Sequence, residues 1–391
     1  MLTSIGMILL LGLLAGWLFT KLKLPSLLGM VIVGIIVSPN ALNLIDNSII
    51  TISGELRQIA LVIILTRAGL SLNIADLKKV GRPAILMCFV PACIEMLGTV
   101  ILAPIFLGVS MLEAAIIGSV IAAVSPAVIV PRMINLIEKG YGRNKSIPQL
   151  ILAGASVDDV FVIVVFTAFT TLASTGKMSA ISFMKIPVSI ILGIILGVFI
   201  GCGLVVYFMK CHIRDSVKIL IILSVSFFIL EVETQLQGYV PVSGLLAIMS
   251  MGIIIKQRYD ALALRLSVKY NKLWLGAEVF LFVLVGATVD LKYVKSAGVL
   301  AIVLILCALI FRMIGVAISL LKTELSKKER VFCMVAYTPK ATVQAAIGAI
   351  PLSMGLECGN IVLTVAVLSI LITAPFGAIC VDNLYTKLLK N

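Results

Sequence analysis

Asp158 and Asp159 stand side by side inside an apolar run near 148–174. An ionised carboxylate in such a run is expensive enough to need a functional or structural reason. Neighbouring residues on a helix point about 100° apart, so one carboxylate can face a water-filled cavity while the other faces the packed interior. Two such groups close together in low dielectric cannot both ionise without a cation nearby. That is what the exchange of a proton for a metal cation requires. A polar patch at a helix–helix contact is the purely structural alternative, but it would bring the cost of burial without a benefit.

Three further ionisable groups lie deep in apolar runs: Glu95 near 83–108, Arg312 near 297–321 and Lys340 near 329–350. An ion pair between Arg312 and Glu95, or between either cation and Asp158, would remove much of the burial cost. Glu95, Asp158 and Asp159 against Arg312 and Lys340 leave one net negative charge, which suits one monovalent cation or the proton that replaces it. Two prolines supply the complementary part. Ser125-Pro126 and Thr338-Pro339 each fall in mid-run, and an interrupted helix leaves carbonyl and N–H groups that can be tolerated only beside a cavity or other protein. If the two breaks cross, helix ends of both signs meet near the bilayer centre, with Ser125 and Thr338 offering hydroxyl oxygens and Lys340 balancing carbonyl dipoles or an aspartate.

These groups need a scaffold, and the composition says which kind. Of 391 residues, 61% are hydrophobic and 13% charged, and mean hydropathy is +1.21, far outside soluble composition. A span takes about 20 apolar residues. Thirteen apolar runs are legible, near 2–20, 24–43, 54–72, 83–108, 112–136, 148–174, 183–209, 217–236, 241–256, 272–290, 297–321, 329–350 and 361–386. They predict an all-α polytopic membrane protein with no soluble domain.

The net charge of +13 would suggest nucleic acid in a water-soluble chain, but here the basic residues sit between apolar runs and read as topology. With thirteen spans, 23 of the 31 lysines and arginines fall on one side and 5 on the other, Arg67, Arg312 and Lys340 lying within runs or near their ends. The bias makes the first side cytoplasmic, with the N-terminus outside and the C-terminus inside. The first run has no basic segment before it and no small-residue cleavage site, so it is expected to stay as a membrane helix. Eight scattered cysteines show no CxxC spacing, which predicts neither a metal cluster nor a disulfide framework, and no cofactor. An enzyme is not expected either: the single histidine, His212, falls in a connection, and HExxH and GxSxG are absent. Trp17 and Trp274 fit interface anchors, Arg67 is expected to snorkel, and Glu278 reads as a solvated carboxylate near a helix end.

The halves repeat weakly. Ala123-Val124-Ser125-Pro126 corresponds to Ala336-Tyr337-Thr338-Pro339 at an offset of 213, and the run beginning Leu65-Thr66 corresponds to the one beginning Leu284-Val285 at an offset of 219. The paired runs cross in opposite senses, as inverted repeats of transporters do.

Ser-Pro-Ala-Val-Ile-Val-Pro (125–131), Gly-Ala-Ser-Val-Asp-Asp (154–159) and Pro-Lys-Ala-Thr-Val-Gln-Ala-Ala (339–346), in this order with Glu95 and Arg312, resemble the cation/proton antiporter superfamily, in particular NHA-type sodium/proton antiporters with paired aspartates. The resemblance covers nearly the whole chain. It implies an NhaA-like antiporter fold with two crossing broken helices and elevator-like alternating access. It also implies a core domain from about 83–174 and 297–386, a dimerisation domain from about 1–72 and 217–290, a linker helix at about 183–209, and a homodimer in the plasma membrane. By the same resemblance Asp159 binds the cation, Asp158 is its partner, paired with Lys340 or Arg312, and Glu95 pairs with Arg312. The paired aspartates depart from the Asn-Asp pattern of many electroneutral relatives and the Gln-Asp pattern of potassium-efflux relatives. The expected activity is exchange of Na⁺ or Li⁺ for protons. K⁺/H⁺ exchange is the first alternative, and a sodium-coupled organic anion symporter on a related fold the second, although few polar groups beyond the aspartates could line a substrate cavity.

Overall fold

Glycine decides where the helices around the buried charges can approach. The structure, a computed structural model, describes residues 1–72, 81–174, 180–211, 213–236, 240, 242–289 and 291–389. His212 lies outside the described residues, as do Lys78, Lys79, Lys177, Asp290 and Lys390. The described residues form helices and no strand. In chain order they are α1 (Leu2–Lys21), α2 (Ser26–Val37), α3 (Asn47–Thr51), α4 (Ser53–Ser71), α5 (Arg82–Met87), α6 (Val90–Leu107), α7 (Met111–Ile121), α8 (Pro126–Glu138) and α9 (Ile147–Ser174). They continue with α10 (Ala180–Lys210), α11 (Asp215–Leu236), α12 (Gly244–Arg258), α13 (Asp260–Ala287), α14 (Leu291–Ser319), α15 (Lys327–Ala336), α16 (Thr342–Ile347), α17 (Ile350–Ser353) and α18 (Gly359–Leu388).

Among the described residues, eight stretches are long and apolar enough to cross a membrane, including Leu2–Lys21, Met111–Glu138, Ile147–Ser174 and Gly359–Leu388. The chain is therefore a multi-pass membrane protein. It divides into two compact units. One comprises Met1–Gly54, Ile74–Phe169 and Leu281–Asn391, and the other Glu55–Asn73 and Thr170–Phe280.

In the first unit α6 and α14 run antiparallel in close contact. A Cβ on Gly315 would come within 2.5 Å of the Pro91 Cα, and one on Gly98 would strike the ring of Phe311. The absence of those two carbons lets the backbones approach, and Glu95 and Arg312, each three residues before one of these glycines, are brought face to face. Gly315→Val is accordingly expected to lower the melting temperature of the purified protein, by overpacking worth about 1–3 kcal/mol. A variant as stable as the wild type would show that the Pro91 backbone can give way.

Three elements differ from the apolar pattern. The run 83–108 is two helices broken at Cys88-Phe89, because Pro91 has no N–H for the Met87 carbonyl four residues back. The run 329–350 is likewise divided, into α15 and α16. In the second unit α13 starts at Asp260 rather than near 272. Leu262, Leu266 and Tyr270 recur at intervals of four and are fully buried, while Arg265 reaches Asp215 on the exposed side, so a segment whose cations suggested a connection is an amphipathic helix. Also in this unit, Trp17's proposed counterpart fails as an interface anchor. Trp274 is only 6% exposed and hydrogen-bonds Glu278, whereas Trp17, in the first unit, is 57% exposed. Glu278 and Arg67 are both half-buried and attract each other, which replaces the solvated carboxylate and the snorkelling arginine.

Candidate functional site

All the site residues lie in the first unit, and the two proline breaks bring them together. α7 opens with a capping box, Ser110 Oγ accepting from Glu113 N–H while the Glu113 carboxylate accepts from Ser110 N–H, and it ends at Ile121. Pro126 cannot donate to the Ala122 carbonyl, so the chain leaves the helix for four residues and resumes as α8 with Pro126 in the first turn. α15 has its own capping box, Ser326 with Glu329, and ends at Ala336. Pro339 likewise cannot donate to the Val335 carbonyl, which accepts instead from the Thr338 N–H at 3.2 Å and from Thr338 Oγ1 at 2.8 Å. The breaks are joined directly: Ser125 N–H donates to the Pro339 carbonyl at 2.8 Å.

A helix ending inside the membrane exposes four carbonyls with no intrahelical partner. Side chains from two other segments cap those of α7. Gln344 Nε2 donates to the Val120 and Ala123 carbonyls at 3.1 and 2.9 Å, Lys340 Nζ to Ile121, and Arg312 Nη1 to Ala122. Two of the three side chains are cations, as the negative end of a helix dipole favours.

The same cations bind the carboxylates. Arg312 Nη1 donates to Glu95 Oε2 at 3.0 Å and Nη2 to Asp158 Oδ2 at 2.8 Å, while its Nε donates to the Tyr337 carbonyl at 2.7 Å. Lys340 Nζ lies 2.6 Å from Glu95 Oε1. Asp158 Oδ2 also accepts the Val124 N–H at 2.9 Å. Asp158, Arg312, Glu95 and Lys340 thus form one ion-paired row, two charges of each sign, all 0% exposed. At this burial a charge without a partner would be prohibitive, so the row is self-neutralising. Of the two cations open to Asp158 in the sequence, Arg312 takes it and Lys340 goes to Glu95.

Asp159 is the carboxylate left over. It is partly accessible, takes part in no ion pair among the described residues, and its Oδ1 is buried without a hydrogen-bond partner. Asp158 Oδ1, Ser125 Oγ and Gln344 Oε1 are also buried and unpartnered. Thr338 Oγ1 keeps acceptor capacity after donating to Val335. Hard oxygen donors of these types, together with one carboxylate that no buried cation compensates, are the donors an alkali cation takes.

Sequence reasoning overlooked three contributors. Gln344 stood in a quoted motif with no role attached, the Tyr337 carbonyl belongs to backbone that only the break exposes, and Thr373 Oγ1 accepts from Lys340 N–H at 2.9 Å from the distant α18. The one available signal was the spacing of Lys340 and Gln344, one helical turn apart beside a proline.

Comparison with known proteins places the chain in a family. Residues 7–384 match the family described as "Sodium/hydrogen exchanger, transmembrane". The chain is similar to sodium/hydrogen exchanger 9B2 of Pongo abelii, 32% identical over 378 residues that cover 94% of this chain and 70% of the relative. It is also similar to sodium/hydrogen exchanger 9B1 of Homo sapiens, 31% identical over 388 residues, covering 94% and 73%. Its fold resembles the sodium proton antiporter MjNhaP1 from Methanocaldococcus jannaschii at pH 8, with a TM-score of 0.86 and 21% identity over 100% of this chain and 99% of that one. A family match over nearly the whole chain, together with relatives above 30% identity, makes the protein a transporter rather than an enzyme, and it belongs to the sodium/hydrogen exchanger family of cation/proton antiporters.

Proposed function

We propose that the protein exchanges cytoplasmic Na⁺ or Li⁺ for external protons, and that Asp159 is alternately protonated and cation-bound. The observation that supports this most is the arithmetic of the buried row: four charges cancel in pairs, and Asp159 alone remains to be neutralised. A proton or a cation can satisfy it, but not both at once. Competition for that one carboxylate couples the two fluxes. Asp158 holds Arg312 and the Val124 N–H in place and lends its free Oδ1, with Ser125 Oγ and Thr338 Oγ1 as further cation ligands.

In this reading the chain has thirteen spans with the N-terminus outside and the C-terminus cytoplasmic, and its two halves are inverted repeats. The core domain of about 83–174 and 297–386 carries the site. It moves by an elevator-like step against a dimerisation domain of about 1–72 and 217–290, the helix at about 183–209 linking them, in a homodimer of the plasma membrane.

The test is collapse of an imposed pH gradient in proteoliposomes on addition of Na⁺, Li⁺ or K⁺. Collapse with Na⁺ and Li⁺ is expected. A response to K⁺ alone would keep the exchange mechanism and change the substrate; no response to any of the three would refute it.

A further inference from the structure

We infer that Gln344 is a positioning residue for the aspartate pair, acting through the single peptide unit that joins Ala123 to Val124. The inference rests on the reading of Asp158 and Asp159 as the exchange site. Gln344 Nε2 donates to the carbonyl of that peptide at 2.9 Å, and the N–H of the same peptide donates to Asp158 Oδ2 at 2.9 Å. Amide, peptide and carboxylate therefore form a head-to-tail chain of hydrogen bonds. In such a chain each bond polarises the next, so a donor on the peptide oxygen makes the peptide N–H a better donor to the carboxylate. It also fixes the plane of the one peptide in the break that touches Asp158.

The direction of the amide follows from its surroundings. Two carbonyl oxygens, Val120 and Ala123, face one end of the Gln344 side chain, and only an NH₂ group can meet both. Gln344 is 0% exposed, so a reversed amide would set three oxygens together with no water to relieve them.

Neutrality is the second half of the argument. Of the three side chains that cap α7, Gln344 is the only one without charge, and it holds two of the four carbonyls. A lysine or arginine here would add a third cation to the row and cancel the negative charge that Asp159 contributes. A glutamate would repel both carbonyls and raise the net negative charge. Glutamine supplies the donors and leaves the charge count that cation–proton competition needs.

The experiment uses the full chain reconstituted in proteoliposomes, as wild type, Gln344→Met and Gln344→Glu. Na⁺-driven collapse of the pH gradient is measured over a series of Na⁺ concentrations and pH values, together with the melting temperature of each protein. For Gln344→Met, which keeps length and volume but has no donor, the apparent KM for Na⁺ is expected to rise about fivefold, the effect of losing a typical hydrogen bond. The pH of half-maximal activity is expected to move by about half a unit, with little change in Vmax. Gln344→Glu is expected to change both quantities more. An apparent KM and a pH profile that match the wild type would overturn the inference, whatever happens to Vmax or melting temperature, since a packing residue moves stability and leaves those two alone. Should Gln344→Met fail to fold, Gln344→Glu decides by the same two quantities. Failure of the exchange reading itself would show earlier and separately, as absence of Na⁺-driven collapse in the wild type.

Discussion

Asp159→Asn is expected to leave the protein folded, with a melting temperature at or above that of the wild type, and to reduce Na⁺- and Li⁺-driven collapse of a pH gradient to the level of empty vesicles. The two halves of this result have separate causes. Asp159 has no ion-pair partner among the described residues and its Oδ1 has no donor, so an isosteric neutral amide leaves no cation stranded and costs less to bury than a carboxylate. Transport, by contrast, needs a negative charge that a proton and a cation compete to neutralise, and an amide, although its oxygen can touch a cation, neither carries that charge nor takes up the proton. Asp158→Asn should behave in the opposite way for stability. It takes one of two carboxylates from Arg312, whose guanidinium stays 0% exposed, and breaking such a buried pair costs about 3–5 kcal/mol. Thermal melts of the two variants beside their transport assays distinguish the roles. An Asp159→Asn protein that keeps wild-type exchange would remove Asp159 from the cation site.

The asymmetry between the two aspartates was half legible. That adjacent carboxylates on a helix must serve different surroundings follows from helical geometry, and the charge surplus of one follows from counting Glu95, Asp158, Asp159, Arg312 and Lys340. Pro126 and Pro339 announced the breaks because a missing N–H acts locally, whatever the fold does. Which cation would meet which carboxylate is another kind of information. It depends on the antiparallel approach of α6 and α14 through Gly98 and Gly315, and nothing in the order of residues along the chain encodes that distance. Pro91 was as visible as Pro126, yet the run 83–108 reads as one span, since a proline near the start of a segment can be either a first-turn residue or a break. The start of α13 was hidden for the opposite reason: Arg265 and Lys269 signal a connection by charge, while the fourfold spacing of Leu262, Leu266 and Tyr270 signals a helix, and the buried stripe wins. Gln344 was missed because a neutral amide carries no sign of its task until two unpaired carbonyls are placed before it.

Arg312→Met is expected to destabilise by about 3–5 kcal/mol, because it strands the buried carboxylate of Asp158, leaves Glu95 with Lys340 alone and uncovers two carbonyls at once. Arg312→Lys should recover only a small part. A guanidinium sends donors in three directions, here to Tyr337, to Glu95 with Ala122, and to Asp158, whereas an ammonium is a compact point charge that cannot span them. The informative variant is the pair. If the cost of Arg312→Met comes mainly from stranded charge, then Arg312→Met with Asp158→Asn should be more stable than the sum of the single effects predicts, by about 1–3 kcal/mol of coupling. Transport should be lost in Arg312→Met and in the double variant, because both lack the guanidinium that holds the Ala122 and Tyr337 carbonyls at the two breaks. Denaturation in detergent of the two single variants and the double variant gives the coupling directly. Additive losses would mean that Arg312 stabilises the protein through the carbonyls of Ala122 and Tyr337, as a helix cap, and that its bond to Asp158 serves to aim the carboxylate rather than to hold the fold.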